Sequence, residues 1–262
     1  LLHYERKKRL YERSDTYAEM LAGIVQGLIE KEGCPVEKIL GVGISLPGIL
    51  DKEGQTLVYS HALGLRNVPT EEFSRYIPFS CRFINDANAA GLAEVRDLSL
   101  SNSVGGAILT GGALYGGDHL RAGEFGHNTL VPDGRPCYCG KKGCLDAYCS
   151  AKVLSQLTDG NLALFFDGLR SGNAALQTAW NEYLSYLAVA VNNLRMTFDC
   201  DVIVGGYVGG FLAEFGEPLR EMLVERNTFE PDSSYLKFSR YRLEASALGA
   251  ALLHIEAFIQ NL

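Results

Sequence analysis

The 262-residue chain has no uninterrupted apolar run of the roughly 18 residues that a bilayer span needs. Its most apolar late stretch, residues 243–259, is broken by Glu244, His254 and Glu256. A membrane protein of helical type is therefore not expected. A secretory leader is missing too: Leu1-Leu2-His3-Tyr4-Glu5-Arg6-Lys7-Lys8 runs apolar then basic, the reverse of such a leader. A cytoplasmic location is the expectation. Positive charge is in short supply. Lys and Arg number 24 against 31 Asp and Glu, a formal charge of -7, which is a poor match to a nucleic-acid backbone. Seven cysteines, an odd number with three packed into 137–144, do not make a spread disulfide framework. No internal repeat or low-complexity segment is present. The chain does not open on Met and is expected to be a piece of a longer one.

What is present reads as an ordered globular chain, 47% hydrophobic and 21% charged. Residues 1–13, with Arg6-Lys7-Lys8-Arg9, read as a solvated edge strand. Thr16-x-x-Glu19 is a capping-box pattern ahead of Tyr17, Met20, Leu21, Ile24, Val25, Leu28 and Ile29, so a helix is predicted there, closed by Gly33. Ile39 to Leu46 is a short apolar run into Pro47-Gly48, and Cys81 to Ile84 is another ending at Asn85-Asp86. Ala87 to Glu94 is predicted helical. Val104 to Leu109 and Ala113 to Tyr115 fit a hairpin around Gly111-Gly112. Trp180, Tyr183, Leu184, Leu187, Ala188, Val191 and Leu194 mark a long amphipathic helix. Asp201 to Gly206 is a buried strand ending in glycines, and Leu243 to Ile259 a last helix. Mixed strands and helices predict an α/β fold, with ligands at the carboxyl ends of the apolar strands.

Two constellations carry chemistry. Cys137-x-Cys139-Gly140-Lys141-Lys142-Gly143-Cys144 supplies three thiols in a glycine-rich knuckle. Tetrahedral zinc needs a fourth ligand, for which His127 and Cys149 both qualify, and a closed set of four makes the metal structural. Asp86 follows an apolar strand. A carboxylate there can be a general base toward a ligand hydroxyl, or can cap the following helix. Gly123-Glu124-Phe125-Gly126-His127 sets a carboxylate and an imidazole between glycines, and Asp146 lies two residues beyond the last knuckle cysteine. Such a set suits a polyhydroxyl ligand, whose hydroxyls must replace lost water contacts.

These motifs in this order resemble the ROK family of bacterial repressors and sugar kinases. The resemblance rests on Gly43-Ile44-Ser45-Leu46-Pro47-Gly48, Asn85-Asp86-Ala87-Asn88-Ala89-Ala90, Val104-Gly105-Gly106, Gly123 to His127, the cysteine knuckle, Val202 to Gly206 and Gly249 to Leu253. It implies a two-lobed actin-like (ribonuclease H-like) sugar kinase fold. Residues 1–95 plus 245–262 would form a smaller lobe, and 96–244 a larger one with the zinc knuckle. Asn85, Asp86, Glu124 and His127 would bind sugar, with Pro47, Gly48 and Asp146 beside it. Asp86 would be the base of a kinase. His127, Cys137, Cys139 and Cys144 would bind zinc.

The resemblance leaves two functions. Where family kinases carry Gly-Thr-Gly, this chain has Ser101-Asn102-Ser103 ahead of Gly105, a degenerate nucleotide loop, and the family's opening phosphate hairpin is not in the sequence. On that ground the expectation is the sugar-sensing effector part of a transcriptional repressor. DNA contacts would come only from an upstream domain, and enzymatic activity is not favoured. The alternative is an ATP-dependent sugar kinase using magnesium. In both readings the partner is a monosaccharide or derivative, zinc is structural, no membrane is involved, and a homodimer is expected.

Overall fold

The structure is a computed structural model and describes residues 3–7, 9–94, 97–100, 103–239, 241 and 244–259. Contacts divide the chain into two compact units: Leu1–Ala93 with Gly116–Arg121 and Glu244–Leu262, and Glu94–Tyr115 with Ala122–Leu243.

The first unit opens with helix α1, Asp15–Glu32. Its cap is Ser14, not Thr16. Ser14 is extended (φ -148°), and its hydroxyl accepts the Tyr17 N–H at 3.2 Å, satisfying one of the helix's orphan donors. Gly33 ends the helix in the left-handed conformation, as predicted. Among the described residues before Ser14 there is no strand, so the expected edge strand is not formed. Strands β1 (Val42–Leu46), β2 (Ile49–Leu50), β3 (Thr56–Ser60) and β4 (Leu65–Pro69) follow, then helix α2 (Glu71–Ser74), β5 (Cys81–Asn85) and helix α3 (Asp86–Glu94). β1 and β5 pair in parallel from Val42↔Cys81 to Leu46↔Asn85. β2, β3 and β4 form an antiparallel meander, and Leu46, Leu50, Leu57, Leu65, Val68 and Phe73 make its core. The parallel register decides the site. It ends both strands together, so the Pro47-Gly48 turn and the Asn85-Asp86 step lie at one edge.

The second unit contains β6 (Asp97–Leu100), β7 (Val104–Ala107), and the short hairpin of β8 (Leu109–Thr110) and β9 (Ala113–Leu114) about Gly111-Gly112. Helices α4 (Asp146–Cys149), α5 (Ala151–Ser155), α6 (Leu162–Arg170) and α7 (Ala174–Phe198) lead to β10 (Val202–Gly205). Helices α8 (Gly206–Phe215) and α9 (Glu217–Arg226) and strand β11 (Leu236–Phe238) complete it. The sheet order is β11-β10-β6-β7, with β7 antiparallel to β6. α7 buries the stripe expected from its periodicity. Trp180, 1% exposed, stands at the centre and donates its indole N–H to the Phe215 carbonyl at 3.1 Å. Trp180→Ala should cost about 3–5 kcal/mol in denaturant unfolding.

The last helix, α10 (Ala245–Ile259), belongs to the first unit. A side chain at Gly43 would meet the Ala250 carbonyl oxygen at 2.2 Å, and one at Gly249 would meet that of Ala89 at 1.6 Å. α10 therefore lies on β1 and α3 with backbone against backbone. Among the described residues no helix is long and apolar enough to cross a membrane.

Candidate functional site

The residues expected to form the site fall into two groups, one in each unit. In the first, Asn85 ends β5 and Asp86 begins α3. The Asn85 amide donates to the Gly48 carbonyl at 2.9 Å and to Asp86 Oδ1 at 3.3 Å, while its own oxygen accepts the Asn88 N–H at 2.9 Å. Asp86 Oδ1 also accepts the Ala87 N–H at 3.0 Å. Its carboxylate thus has both settings considered for it, at a strand end and at the start of a helix whose N-terminal dipole favours negative charge. Gly48 has φ 138°, and a Cβ there would lie 2.4 Å from the Tyr59 carbonyl oxygen. Only glycine fits a turn pressed so closely on β3.

In the second unit, Glu124 is exposed and precedes a single 3-10 turn, Phe125–His127. That turn is pinned to β7. A Cβ on Gly126 would meet the Val104 carbonyl oxygen at 2.2 Å, and one on Gly123 (φ 89°) that of Gly106 at 2.4 Å. The knuckle is closed by the Cys137 N–H to the Lys141 carbonyl at 2.8 Å and by the Gly140 N–H to the Cys137 carbonyl at 3.0 Å. His127, Cys137, Cys139 and Cys144 present one donor atom each, all within 4.8 Å of one another. Cys139 Sγ and Cys144 Sγ are 3.7 Å apart, and Cys137 Sγ is 3.9 Å from His127 Nδ1. A tetrahedral cation about 2.3 Å from each sulfur sets thiolates roughly 3.8 Å apart, so these spacings fit zinc. Cys149 is not in this group; it is wholly buried. Burial pushes the Cys137 thiol up to about 12. Burial, the largest influence, also pushes Cys139 up, but the Lys141 N–H and the neighbouring thiols outweigh it and hold Cys139 below its ordinary value.

Asp146 starts α4, 5% exposed, and its Oδ1 accepts the Val104 N–H at 2.5 Å. Burial raises its pKa, opposed by that N–H and by His127. In this position it ties the residues after the knuckle to β7. Gly105 pairs with Ser99 inside the β6–β7 ladder. Ser103 is exposed just before β7, whereas Ser101 and Asn102 lie outside the described residues. Two contacts were not foreseen. Tyr138 Oη lies 3.3 Å from His127 Nε2, which leaves Nδ1 to face the cysteines. Ser60 Oγ donates to the Pro47 carbonyl. The position of Tyr138 between two knuckle cysteines was a legible hint; Ser60 carried none.

The chain belongs to the ROK family, whose model matches residues 2–257. It is 31% identical over 235 residues to N-acetylmannosamine kinase of Citrobacter koseri, a match spanning 81% of this chain and 78% of that one. The match to N-acetylmannosamine kinase of Escherichia coli O9:H4 is 34% identical and spans 65% of this chain and 63% of that relative, less than two thirds of its length. Among solved structures, the ROK hexokinase of Thermus thermophilus is 26% identical with a TM-score of 0.69, over 95% of this chain and 88% of that one. A ROK family glucokinase from Streptomyces griseus, in complex with glucose and AMPPNP, is similar in fold, with a TM-score of 0.71 at 24% identity over 89% and 88% of the chains. The α/β sugar kinase fold expected from the sequence is the fold of this protein.

These relatives correct the functional expectation. The sensor part of a repressor was inferred from Ser101-Asn102-Ser103, yet the curated relatives carry kinase names. Side-chain identity carries little weight in a phosphate loop. Anion cradles are built from main-chain N–H groups, which serine and asparagine supply as glycine does.

Proposed function

We propose that the chain is the greater part of an ATP-dependent sugar kinase acting on N-acetylmannosamine. The observation that carries this reading is the setting of Asp86: a carboxylate at the carboxyl end of a parallel strand, oriented by the Asn85 amide and the Ala87 N–H. The names of the curated relatives support the substrate. In this reading a sugar hydroxyl attacks the γ-phosphorus of ATP, the bond to ADP breaks, and Asp86 takes the hydroxyl proton. In the first unit, Pro47, Gly48 and Asn85 surround Asp86 and contact the sugar; in the second, Glu124 offers an exposed carboxylate to a ligand hydroxyl, and Asp146 is tied to β7 through the Val104 N–H. Ser103 and Gly105 belong to the nucleotide-phosphate loop of this reading, and magnesium accompanies ATP.

Zinc fits the donor set of His127, Cys137, Cys139 and Cys144. It would supply rigidity rather than reaction chemistry, since four protein ligands leave no open position. Zinc at Nδ1 and Tyr138 at Nε2 would together use both ring nitrogens of His127 and fix the ring and its turn in place.

The test is ADP release by the full-length protein with N-acetylmannosamine, glucose and N-acetylglucosamine. Turnover with N-acetylmannosamine that vanishes in Asp86→Asn is expected. No phosphorylation of any of the three sugars would overturn the reading.

A further inference from the structure

The Pro47-Gly48 turn is backbone that the sugar is meant to approach, yet neither of its carbonyl groups belongs to a strand ladder. β1 stops at Leu46, β2 starts at Ile49, and the pairing of β2 with β3 shifts register between Ile49 and Leu50. Each of the two carbonyls is held instead by a side chain. Asn85 donates to the Gly48 carbonyl at 2.9 Å. Ser60, the last residue of β3, donates to the Pro47 carbonyl at 2.5 Å.

Ser60 is 0% exposed. Its hydroxyl has one proton and two lone pairs. The proton goes to Pro47, and one lone pair accepts the Leu63 N–H at 3.1 Å. A small hydroxyl thus joins two turns, 47–48 and 60–63, at the end of the meander. Because Gly48 packs on the Tyr59 and Ser60 backbone, the turn cannot shift without moving this end of β3. The next peptide along, whose carbonyl is that of Gly48, accepts from Asn85, whose amide also touches Asp86. The chain of contact runs from Ser60 through the turn to the residue that orients the carboxylate.

We propose that Ser60 is a positioning residue for the sugar-binding turn: its hydroxyl fixes the Pro47–Gly48 peptide, and through Asn85 the setting of Asp86. This deepens the kinase reading and rests on it. Ser60 touches neither the sugar nor the reacting atoms; it acts through Pro47. A merely structural hydroxyl, one that serves the Leu63 N–H alone, would soften the whole unit without singling out one substrate.

The experiment is steady-state kinetics on full-length wild type and Ser60→Ala with N-acetylmannosamine and ATP varied separately, and far-UV circular dichroism melts of both. Loss of one buried hydrogen bond corresponds to about tenfold in binding, so the KM for N-acetylmannosamine should rise about tenfold in Ser60→Ala. The KM for ATP should stay at its wild-type value. Should Ser60→Ala fail to fold, Ser60→Cys, which keeps the side-chain length with a weaker donor, is measured and read in the same way. A wild-type sugar KM in the folded variant overturns the proposal, and so does a parallel rise of both KM values. A wild type that phosphorylates no sugar fails differently: it overturns the functional reading itself, and the proposal with it.

Discussion

The two groups of candidate site residues are held by different means. In the first unit, the Pro47-Gly48 turn and the Asn85-Asp86 step are tied by direct hydrogen bonds between neutral groups, on the ends of two parallel strands. In the second, His127 and the three cysteines sit on a loop whose strand-like pairing is limited to the isolated bridges Thr129↔Cys144 and Pro136↔Lys142. Their donor atoms face one another, and thiolates so placed repel unless a cation lies between them. One group carries its own support; the other is designed around a charge it does not itself possess. Loss of metal should therefore be felt locally, and loss of the Asp86 charge should be felt far more in chemistry than in stability.

The largest effect expected is on the reaction. Asp86→Asn keeps the shape of the side chain and removes the proposed base, so kcat should fall by about 10²–10⁴, while loss of the charge at the start of α3 should lower stability by only about 0.3–1 kcal/mol. An unchanged rate would remove Asp86 from the mechanism. Next is the metal. Cys139→Ser should lose tightly held zinc, read by metal analysis, and hydrogen exchange should quicken over residues 127–146. Exchange over 42–50 and 81–88 should not change; equal loosening in both would erase the contrast. Zinc binding must displace protons, including that of Cys137, which burial keeps on up to about 12. Affinity should therefore weaken as the pH falls. Smaller again is Asn85→Ala. It leaves the Gly48 carbonyl and the Asn88 N–H without their partner, a cost of about 1–3 kcal/mol in unfolding free energy.

The smallest effect lies in the pH dependence of the first unit. His254 on α10 is 7% exposed, and its Nε2 has no partner among the described residues. Burial lowers its pKa, assisted by Arg82 and opposed by its hydrogen bond with the Val42 backbone. The fold thus favours the neutral ring. Above the ordinary imidazole value of about 6.5 nothing is lost. Below it the unfolded chain takes a proton that the folded one resists, and stability declines until the folded pKa has been passed. His254→Asn should flatten that part of a stability-against-pH curve.

Much of this was legible in the sequence because it was written in local patterns. The helical stripe on α7 and the glycine that closes α1 are periodic or positional signals, and the cysteine spacing marks a cluster of donors that could hold a metal. What was missed depends on contacts distant in sequence or on a choice between neighbours. Ser14 and Thr16 are both good caps, and only the backbone path decided for Ser14. Residues 1–13 read as an edge strand, but among the described ones, 3–7 and 9–13, no strand is formed. Asn85 was read as a sugar ligand. Its amide is engaged with Gly48 and Asp86, so it orients the Asp86 carboxylate. The Ser60–Pro47 hydrogen bond spans 13 residues and follows no motif.

The place of α10 has a consequence for how the protein is made. A ribosome releases the chain from its first residue onward. When residue 243 has emerged, every residue of the second unit is available to fold. The first unit, whose β1 and α3 emerged long before, still lacks the helix that covers them at Gly43 and Ala89. The unit whose strands are translated before the second unit is completed after it. Until Gly249 and Ala250 arrive, the strand that leads into the Pro47-Gly48 turn waits with one face bare, and during synthesis that face needs protection from other chains.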